Sequence, residues 1–319
     1  MWRARPRERP AAGGTGAPAG LPGPGVGASP GPAPLPSLVV RGPSLVRRLN
    51  DHGVIVLCHL AAAVVILPLA LIIGHLLSKG LTGLNLDFFL HLPKPVGETG
   101  GGVANAIAGT LTLIALAALV AVPVGVGAGL YLAEYGHGRL GALVRYTADV
   151  LAGVPSIVAG VAAYGLVVVP MGRFSAIAGA VALALLMLPT IVRATDEVVR
   201  LVPRSYREAA LGLGAPRWRT IHSVVLPAAA SGVVTACLLA LARAAGETAP
   251  LLFTALGSRF WTRALDQPIA SLPVYIYDYA RAPYEDWNRQ AWSAALVLLM
   301  LVTLVSALLR VTTRRIGRP

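Results

Sequence analysis

Long apolar runs without charged residues alternate with short polar segments along most of the 319-residue chain. A helix needs about 20 apolar residues to cross a hydrocarbon core about 30 Å thick. Six intervals reach roughly that length, and they lie at residues 52–79, 98–134, 149–173, 173–193, 222–259 and 289–310. In the second of them Gly125 and Gly129 form a G-x-x-x-G pattern, which is compatible with close helix contact. The pattern therefore predicts an all-α, polytopic membrane protein with six transmembrane helices.

The composition agrees with a membrane location. Hydrophobic residues make up 55% of the chain and charged residues 13%, with a mean hydropathy of +0.69. A soluble domain carries about a quarter charged residues. Cys58 and Cys237 both fall within apolar runs, where they act as small apolar side chains rather than as a disulfide pair. The six histidines lack metal-site spacing, so neither a metal nor another cofactor is predicted.

The first 49 residues differ in composition, because Pro, Gly and Ala dominate them. Such a segment has little apolar surface to bury, so residues 1–49 are predicted to form a disordered cytoplasmic tail. A secretory signal would place its apolar part a few residues after the basic start, not about forty residues later. The first apolar run is therefore predicted to be an uncleaved anchor, and residues 50–319 to form the membrane domain.

The distribution of basic residues predicts the orientation. With six crossings and an inner N-terminus, 19 of the 27 lysines and arginines fall on inner segments and seven on outer ones. Short basic loops stay in the cytoplasm, so both termini are predicted to be cytoplasmic. The net charge of +13 is then mainly a signal of topology. Binding to nucleic acid would require a basic face on a folded soluble domain, and the pattern leaves no room for one.

Residues 202–227 form the most informative polar segment between two spans. Ser205 and Glu208 have the spacing of a capping box, which predicts the start of a short helix, and Gly214 is placed to end it. Pro216 suits the first turn of a second short helix. Helical spacing gives the first helix an apolar face of Tyr206, Ala209, Ala210 and Leu213. By residue type alone, this face fits an interfacial helix at the membrane surface or packing against its own helix ends.

The same segment resembles the EAA loop of ABC importer permeases. The matching residues are Glu208-Ala209-Ala210, Gly214 and Leu226-Pro227, although Val224 stands where isoleucine is commoner. The resemblance implies a type I, MetI-like permease architecture with a cytoplasmic coupling loop at about residues 193–223. It also implies that the loop seats in a groove of a separate ATP-hydrolysing subunit. The coupling residues it assigns are Arg207, Glu208, Ala209, Ala210, Leu211 and Gly214.

The chain is not expected to hydrolyse ATP itself. A Walker A loop needs Gly-Lys followed by Ser or Thr, because its backbone N–H groups and lysine cradle the phosphates. Only two lysines are present: Lys79 precedes Gly80, and Lys94 precedes Pro95. Neither lysine fits that loop, so the chain is predicted to be a non-catalytic permease subunit whose ATPase is another polypeptide.

Nearly the whole chain from about Asn50 resembles, more narrowly, the PstA permeases of bacterial phosphate importers. The matching stretches lie at residues 106–135, 153–160, 184–203, 242–251 and 271–280. The paralogous PstC permeases typically continue differently after Gly246-Glu247-Thr248. The resemblance implies import of inorganic phosphate across the bacterial inner membrane by alternating access. It also implies three partners: a PstC-like permease, a PstB-like ATPase dimer and an external phosphate-binding protein.

Arg243 and Glu247 interrupt the fifth apolar run with two ionisable groups. Four residues apart, they would share one helix face about 6 Å apart along the axis, close enough to pair. Ionisable residues at membrane depth are costly and usually functional, although a purely structural ion pair remains an alternative. The resemblance places Arg243 and Glu247 on the phosphate path, and Thr248 would add a hydroxyl group. Pro250, together with Gly246, is expected to bend the helix locally.

Other polar groups have simpler interpretations. Asp196 and Glu197 are flanked by Arg193 and Arg200 at helical spacing, which predicts a solvated, salt-bridged helix end. Arg145 and Asp149 have the spacing of a surface pair on one helix. Aromatic residues cluster in the predicted external segment and are expected at the membrane boundary; they are Phe260, Trp261, Tyr275, Tyr277, Tyr279, Tyr284, Trp287 and Trp292.

Two other functions remain open at the level of sequence. A permease of the same architecture for another oxyanion or solute, such as sulfate or molybdate, would keep the EAA loop. A stand-alone secondary transporter or an intramembrane enzyme would need its own coupling-ion site or nucleophile. No Ser/His or paired-Asp arrangement at membrane depth is visible in the sequence. Only residues 242–251 argue for phosphate over another oxyanion.

Overall fold

Helices make up nearly all regular secondary structure in the computed structural model, which describes residues 45–98, 100–262 and 264–316. In chain order these helices are α1 (Leu45–Gly80), α2 (Leu86–Leu90), α3 (Ala104–Glu134), α4 (Arg139–Gly153), α5 (Ser156–Ala163), α6 (Val169–Met171), α7 (Ala176–Arg200), α8 (Arg204–Gly212), α9 (Arg217–Thr220), α10 (Leu226–Ala245), α11 (Ala249–Thr254), α12 (Leu272–Ala280) and α13 (Glu285–Ile316). A 3-10 turn (Leu81–Gly83) and two π-helical turns (Tyr164–Val168 and Ile221–Val225) join some of them. The predicted all-α class is confirmed.

Two compact units divide the chain, Met1–Ala61 and Ala62–Pro319. In the first unit the described residues belong to α1, which begins at Leu45. The helix therefore includes residues 45–49, which the sequence assigned to the tail. The remainder of the predicted disordered tail, residues 1–44, lies outside the described residues. The second unit holds the other helices and the polar segments between them.

Five helical segments of the described chain are long and apolar enough to cross a membrane, and a bent pair allows a sixth. The five are His52–Gly83, Ala104–Glu134, Ala176–Arg200, Arg217–Ala245 and Glu285–Leu308. The pair joins Arg139–Gly153 to Ser156–Met171 at an angle of 109°. Pro155 explains the bend, because a proline pushes the preceding residue out of the helical conformation, and Val154 is extended there. The third predicted span is thus not a single straight helix.

Helices α3 and α7 pack closely through small residues. A side-chain methyl group added at Gly125 would lie 2.8 Å from Ile191 Cγ2. At Gly129 it would lie 2.7 Å from the carbonyl oxygen of Val192. Such distances leave no room for a Cβ atom, so the G-x-x-x-G pattern marks a helix contact, as the sequence suggested. The surrounding core also includes side chains from α10, among them Val233.

Aromatic residues of the 275–287 region form a buried stack. The ring centroids of Tyr275 and Tyr279 are 3.9 Å apart, and those of Tyr279 and Trp287 are 4.3 Å apart. Tyr275 donates a hydrogen bond to Gln290 Oε1 at 2.8 Å, and burial raises the pKa of its hydroxyl. These three aromatics are buried because α12 folds back onto the start of α13, and their place at the membrane boundary stays a prediction. Trp292 stays exposed.

Ion pairs connect α4 to α7. The predicted pair of Arg145 with Asp149 is wrong: Asp149 pairs with Arg193, and Arg145 lies 3.5 Å from Asp196. Because α4 crosses beside α7, the opposite charges on the neighbouring helix lie closer than those on the same helix. Arg200 Nε donates to Asp196 Oδ1 at 2.6 Å, so the predicted salt-bridged end of α7 is confirmed.

Candidate functional site

Arg243 and Glu247 lie where the fifth span breaks. Helix α10 ends at Ala245, so Arg243 is in its last turn and Glu247 is in the non-helical link before α11. The Arg243 Nε atom is 3.9 Å from Glu247 Oε1. The side chain of Arg243 is 63% exposed, whereas that of Glu247 is only 17% exposed. The two side chains pair loosely, and the guanidinium group remains open to a further anion.

The break itself follows from Pro250. A proline inside a helix lacks an N–H group and its ring clashes with the carbonyl group four residues earlier, which is that of Gly246. The chain therefore ends one helix at Ala245 and starts the next at Ala249, where Pro250 occupies the tolerant first turn. The predicted local bend is in fact a full interruption. Glu247 thus does not share a helix face with Arg243, although the two still pair.

Thr248 precedes α11 and is half-buried. Its carbonyl oxygen accepts hydrogen bonds from the N–H groups of Leu251 and Leu252, at 3.1 and 3.2 Å. The Glu247 N–H group donates to the Ala244 carbonyl at 3.2 Å. These bonds fix the backbone of the link on both sides of the acidic side chain. The three predicted site residues, Arg243, Glu247 and Thr248, therefore lie together on a short ordered segment.

A row of four exposed residues on α10 leads to Arg243 and was not predicted from the sequence; three of the four are polar, and Leu239 is apolar. Ser231, Thr235, Leu239 and Arg243 recur every four residues, and all four are exposed. Residues at this spacing lie on one face of a helix. The interval of four residues was the available signal. Hydroxyl groups and an arginine on the open face of a membrane-length helix indicate a polar surface next to that face.

The coupling segment folds as two short helices, but not with the predicted start. Helix α8 begins at Arg204 with Pro203 as its N-cap and no side-chain capping bond. Ser205 is therefore inside the first turn, and the capping box it was predicted to form with Glu208 is wrong. Pro203 sets the start because its fixed φ favours the position just before a helix. Pro216 was predicted in the first turn of α9, but it lies one position before that helix, as its N-cap. Its carbonyl oxygen accepts a hydrogen bond from the Thr220 N–H group at 3.0 Å.

Gly214 ends the first coupling helix, as predicted. Its φ of +82° is in the left-handed region, which favours glycine. The Gly214 N–H group donates to the Leu211 carbonyl at 2.9 Å, and the Ala215 N–H group donates to the Ala210 carbonyl at 3.1 Å. This pair of bonds is a Schellman motif. Gly214 thus turns the chain from α8 towards α9.

The coupling helices present an open apolar surface. Leu213 is 90% exposed and Trp218 is 66% exposed, and Tyr206 and Leu211 are also exposed. Glu208 and Ala209 lie on the same open surface. Described residues elsewhere in the chain do not cover these side chains. Exposed apolar patches of this kind mark surfaces that bind a partner or a membrane.

Arg207 does not share this open surface. Its Nη2 atom lies 2.6 Å from Glu134 Oε1, and its Nε atom lies 3.0 Å from the same oxygen. The guanidinium group also donates to the carbonyl groups of Val202 and Val199, at 2.6 and 3.0 Å. Arg207 therefore ties α8 to the end of α3 and to the end of α7. Glu134 was not predicted to be its partner, because the two residues are far apart in the chain.

A cleft of about 390 Å³ opens beside this ion pair. Its lining residues include Glu134, His137, Arg207, Leu211 and Arg217. Among the described residues, no group of three His, Cys, Asp or Glu side chains could hold a metal ion. The chemistry of this end of the molecule is thus that of a charged cleft next to an open apolar surface.

Two PstA proteins align with most of the length of this chain. The chain is 46% identical over 235 residues to the phosphate transport system permease protein PstA of Yersinia pestis, covering 73% of this chain and 80% of that protein. It is 46% identical over 262 residues to the PstA protein of Xylella fastidiosa strain Temecula1, covering 82% and 91%. Both alignments span most of each protein.

The fold has a solved counterpart. A chain of the MetNI methionine ABC transporter, in an inward-facing conformation, superposes with a TM-score of 0.55 at 23% identity, covering 68% of this chain and 95% of that one. At that identity the match shows the fold alone, and it supports the MetI-like permease architecture. The family model of binding-protein-dependent transport system inner membrane components matches residues 125–318. The chain belongs to this family of transport system inner membrane components, and within it to the PstA permeases.

Proposed function

We propose that this chain is the transmembrane permease subunit of an ATP-driven importer of inorganic phosphate. The observation that carries the substrate is the 46% identity to a PstA protein over 91% of that protein's length. The observation that carries the mechanism is the open guanidinium group of Arg243 at the break in the fifth span. Phosphate passes this break on its way to the cytoplasm while the helix bundle alternates between outward and inward access.

Arg243 is the phosphate-contacting residue of the proposed path. Its planar guanidinium group matches phosphate oxygens with two parallel hydrogen bonds. In hydrocarbon such a charge is costly, so a side chain that is 63% exposed faces water or a second permease chain rather than lipid. Glu247 competes for the same guanidinium group from 3.9 Å, which keeps phosphate binding weak enough for release. Thr248 is the proposed hydroxyl donor at the same place.

Ser231 and Thr235 extend the proposed path along α10. They are exposed on α10 twelve and eight residues before Arg243, with Leu239 between Thr235 and Arg243. Their hydroxyl groups offer a hydrated surface to an anion that leaves Arg243. The partner that completes the path is a PstC-like permease, because a path along one exposed helix face needs a second wall.

The coupling helices are the proposed contact with the ATPase. The exposed surface around Glu208, Ala209 and Leu213 would seat in a PstB-like ATPase dimer. Arg207 supports this role from the inner side of α8, because its ion pair with Glu134 links the docked helix to α3. ATP hydrolysis belongs to that partner, and this chain is a non-catalytic subunit. An external phosphate-binding protein delivers the substrate.

The proposed location is the bacterial inner membrane, with multiple crossings and both termini in the cytoplasm. The basic residues of the coupling segment support this orientation, because short basic loops stay on the cytoplasmic side. The segment between α11 and α13 is then external.

Substitution of Arg243 by Gln tests the proposed path. Uptake of radiolabelled phosphate into cells or proteoliposomes should fall at least about tenfold, because charge-assisted hydrogen bonds contribute roughly 1.5–3 kcal/mol. The importer should still assemble. The matched control is Arg173→Gln, which removes an exposed arginine outside the spans and should leave uptake unchanged.

Each other outcome has a defined meaning. Normal uptake by the Arg243→Gln variant would contradict the path, whereas loss of the assembled complex would favour a structural ion pair. Uptake of labelled sulfate or molybdate without uptake of labelled phosphate would assign another oxyanion. Transport by this chain without an ATPase subunit would favour a secondary transporter.

A further inference from the structure

A second cleft, separate from the Arg243 site, lies between the turn after α11 and the start of α12. Its volume is about 210 Å³, and its walls include Ser258, Arg259, Ser271, Val274 and Asp278. These residues belong to the segment that the proposed topology places outside the cell. The polar groups of the cleft show what it could bind.

Ser271 lines the cleft with an unused hydroxyl group. The residue is only 2% exposed, and its Oγ atom has no hydrogen-bond partner among the residues that the structure describes. Ser271 is the N-cap of α12, yet its side chain makes no capping bond. A buried polar group left unpaired costs roughly 1–3 kcal/mol. A serine kept in this position without a partner therefore points to a ligand that supplies one.

The first turn of α12 has one backbone donor on a residue that lines the cleft. The Leu272 N–H group is already bonded to Thr110 Oγ1 at 2.8 Å, and Pro273 has no N–H group. The Tyr275 N–H group donates to the Ser271 carbonyl at 2.9 Å. This leaves the N–H group of Val274, which lines the cleft, as the donor that the helix end offers. Helix N-termini favour anions because their N–H groups and dipole carry partial positive charge.

Arg259 supplies the positive charge. Its guanidinium carbon is 5.3 Å from the centroid of the Trp287 ring, which belongs to the aromatic stack and holds the arginine over a rigid surface. Asp278 is the acidic group of the cleft. Burial raises the pKa of its carboxyl group, and Arg281 and Arg259 oppose that shift. An arginine with a nearby carboxylate repeats the arrangement of Arg243 and Glu247, in which an anion is attracted but not trapped.

The backbone just before Arg259 has an unusual conformation. Leu256 has a φ of 61°, the only positive φ of a non-glycine residue in the described chain, and Gly257 follows with a φ of 88°. Asn105 of α3 donates a hydrogen bond to the Ser258 carbonyl at 2.8 Å and fixes the turn from the other side. A non-glycine residue in this conformation costs about 1–3 kcal/mol and is most often found at functional sites.

We propose that this cleft is an entry site for inorganic phosphate, which the Ser271 hydroxyl, the Val274 N–H group and the Arg259 guanidinium bind before the ion reaches Arg243. The proposal rests on the proposed function, because it concerns the same substrate. These donors match a tetrahedral oxyanion, which presents acceptor oxygens in several directions. The phosphate headgroup of an anionic lipid has the same chemistry, and the test separates it from the free ion.

Line broadening of inorganic phosphate in ³¹P NMR measures weak binding to the site. The intact importer would be purified in a maltoside detergent, which contains no phosphate group. It would carry the Arg243→Gln substitution, so that phosphate binding at Arg243 does not contribute to the broadening. Adding Ser271→Ala or Arg259→Gln should reduce the broadening at a given phosphate concentration about tenfold, because each removes a donor to the anion. Added Arg173→Gln should leave it unchanged, since Arg173 pairs with Asp266 at 3.0 Å and neither residue lines the cleft.

The outcomes distinguish the entry site from the proposed function. Equal broadening in the Ser271→Ala, Arg259→Gln and parent proteins would overturn the entry site. If Arg259→Gln fails to assemble, Ser271→Ala, which removes one buried oxygen atom, decides alone. If the broadening disappears when phosphatidylglycerol is added, the cleft binds the lipid headgroup. That result would also overturn the proposal. Failure of the unsubstituted importer to transport phosphate in proteoliposomes would instead contradict the proposed function itself.

Discussion

Arg207 shows how a single residue can have a different role from its neighbours in a motif. The resemblance placed it with Glu208 and Ala209 as a contact to the ATPase. In the structure its guanidinium group turns inward and binds Glu134 and two backbone carbonyl groups. The pair is largely shielded, with side-chain exposures of 20% for Arg207 and 13% for Glu134. Removing one partner of such a pair leaves the other charge uncompensated.

Substituting Glu134 by Gln should destabilise the permease by roughly 2–4 kcal/mol, because the Arg207 guanidinium then loses its counter-ion in a shielded site. We expect a lower midpoint of thermal unfolding and more ATP hydrolysed per phosphate imported by the reconstituted transporter. Arg204→Gln, which changes an exposed arginine of the same helix, is the matched control. An unchanged unfolding midpoint in Glu134→Gln would show that the ion pair contributes little.

Gly129 gives a prediction about packing at the residue scale. Alanine at this position would place its Cβ atom 2.5 Å from Thr195 Cβ and 2.7 Å from the Val192 carbonyl oxygen. Overpacking of this kind costs about 1–3 kcal/mol, so Gly129→Ala should lower the thermal unfolding midpoint in detergent. Gly127→Ala, where nothing lies within 4 Å, should leave the midpoint nearly unchanged. Equal midpoints for the two variants would contradict the close contact of α3 with α7.

At the scale of elements, the interruptions of helices carry more information than the helices themselves. The fifth span stops between Ala245 and Ala249, and this stop brings Arg243 and Glu247 to an irregular segment instead of a regular helix face. Irregular backbone at membrane depth is tolerated where it lines a cavity or is buried in protein. The coupling segment is similarly defined by its turn at Gly214, which orients α8 relative to α9.

The turn at Gly214 can be tested with a matched pair of glycines. Alanine in the left-handed conformation costs about 1–2 kcal/mol, so Gly214→Ala should distort the exit from α8 and weaken co-purification of the ATPase subunit several-fold. Gly212 lies inside α8 with nothing within 4 Å, and Gly212→Ala should leave co-purification intact or improve it. If both variants retain the ATPase equally, the conformation of the turn does not control docking.

The whole molecule shows two kinds of open surface. Val64, Val65 and Ile72 of α1 are 71%, 73% and 64% exposed, as expected of a helix that meets lipid or another membrane subunit. The coupling helices instead expose apolar residues next to many arginines. Lipid and the ATPase partner are the two environments that the proposed assembly provides for these surfaces.

Accessibility of introduced cysteines tests the proposed orientation of the whole molecule. With Cys58 and Cys237 replaced by alanine, a membrane-impermeant maleimide added to spheroplasts should label Phe260→Cys. The same reagent should label Leu140→Cys only after the membrane is permeabilised. Both parent residues are exposed, with values of 75% and 59%, and neither belongs to the surface proposed to seat in the ATPase. The opposite labelling pattern would invert the topology and with it the assignment of the external cleft.

The sequence alone determined the features that depend on local pattern. Apolar runs of sufficient length specify membrane helices because the hydrocarbon core imposes their length. The pair Gly125 and Gly129 predicted a helix contact, Gly214 predicted a helix end, and Pro250 predicted a bend. Glycine and proline allow such predictions because they act through their own backbone geometry. The resemblance in residues 202–227 and 242–251 identified the family and the predicted site. Whether that site carries phosphate stays a prediction.

Only the tertiary structure decided which distant groups meet. It paired Arg207 with Glu134 and Asp149 with Arg193, because helices far apart in sequence pack side by side. It also buried the stack of Tyr275, Tyr279 and Trp287. Spacing along the chain shows which residues are neighbours on one helix. Ion pairs between helices, buried aromatics and the unpartnered hydroxyl of Ser271 depend instead on how the helices cross. That crossing is fixed by packing over the whole bundle.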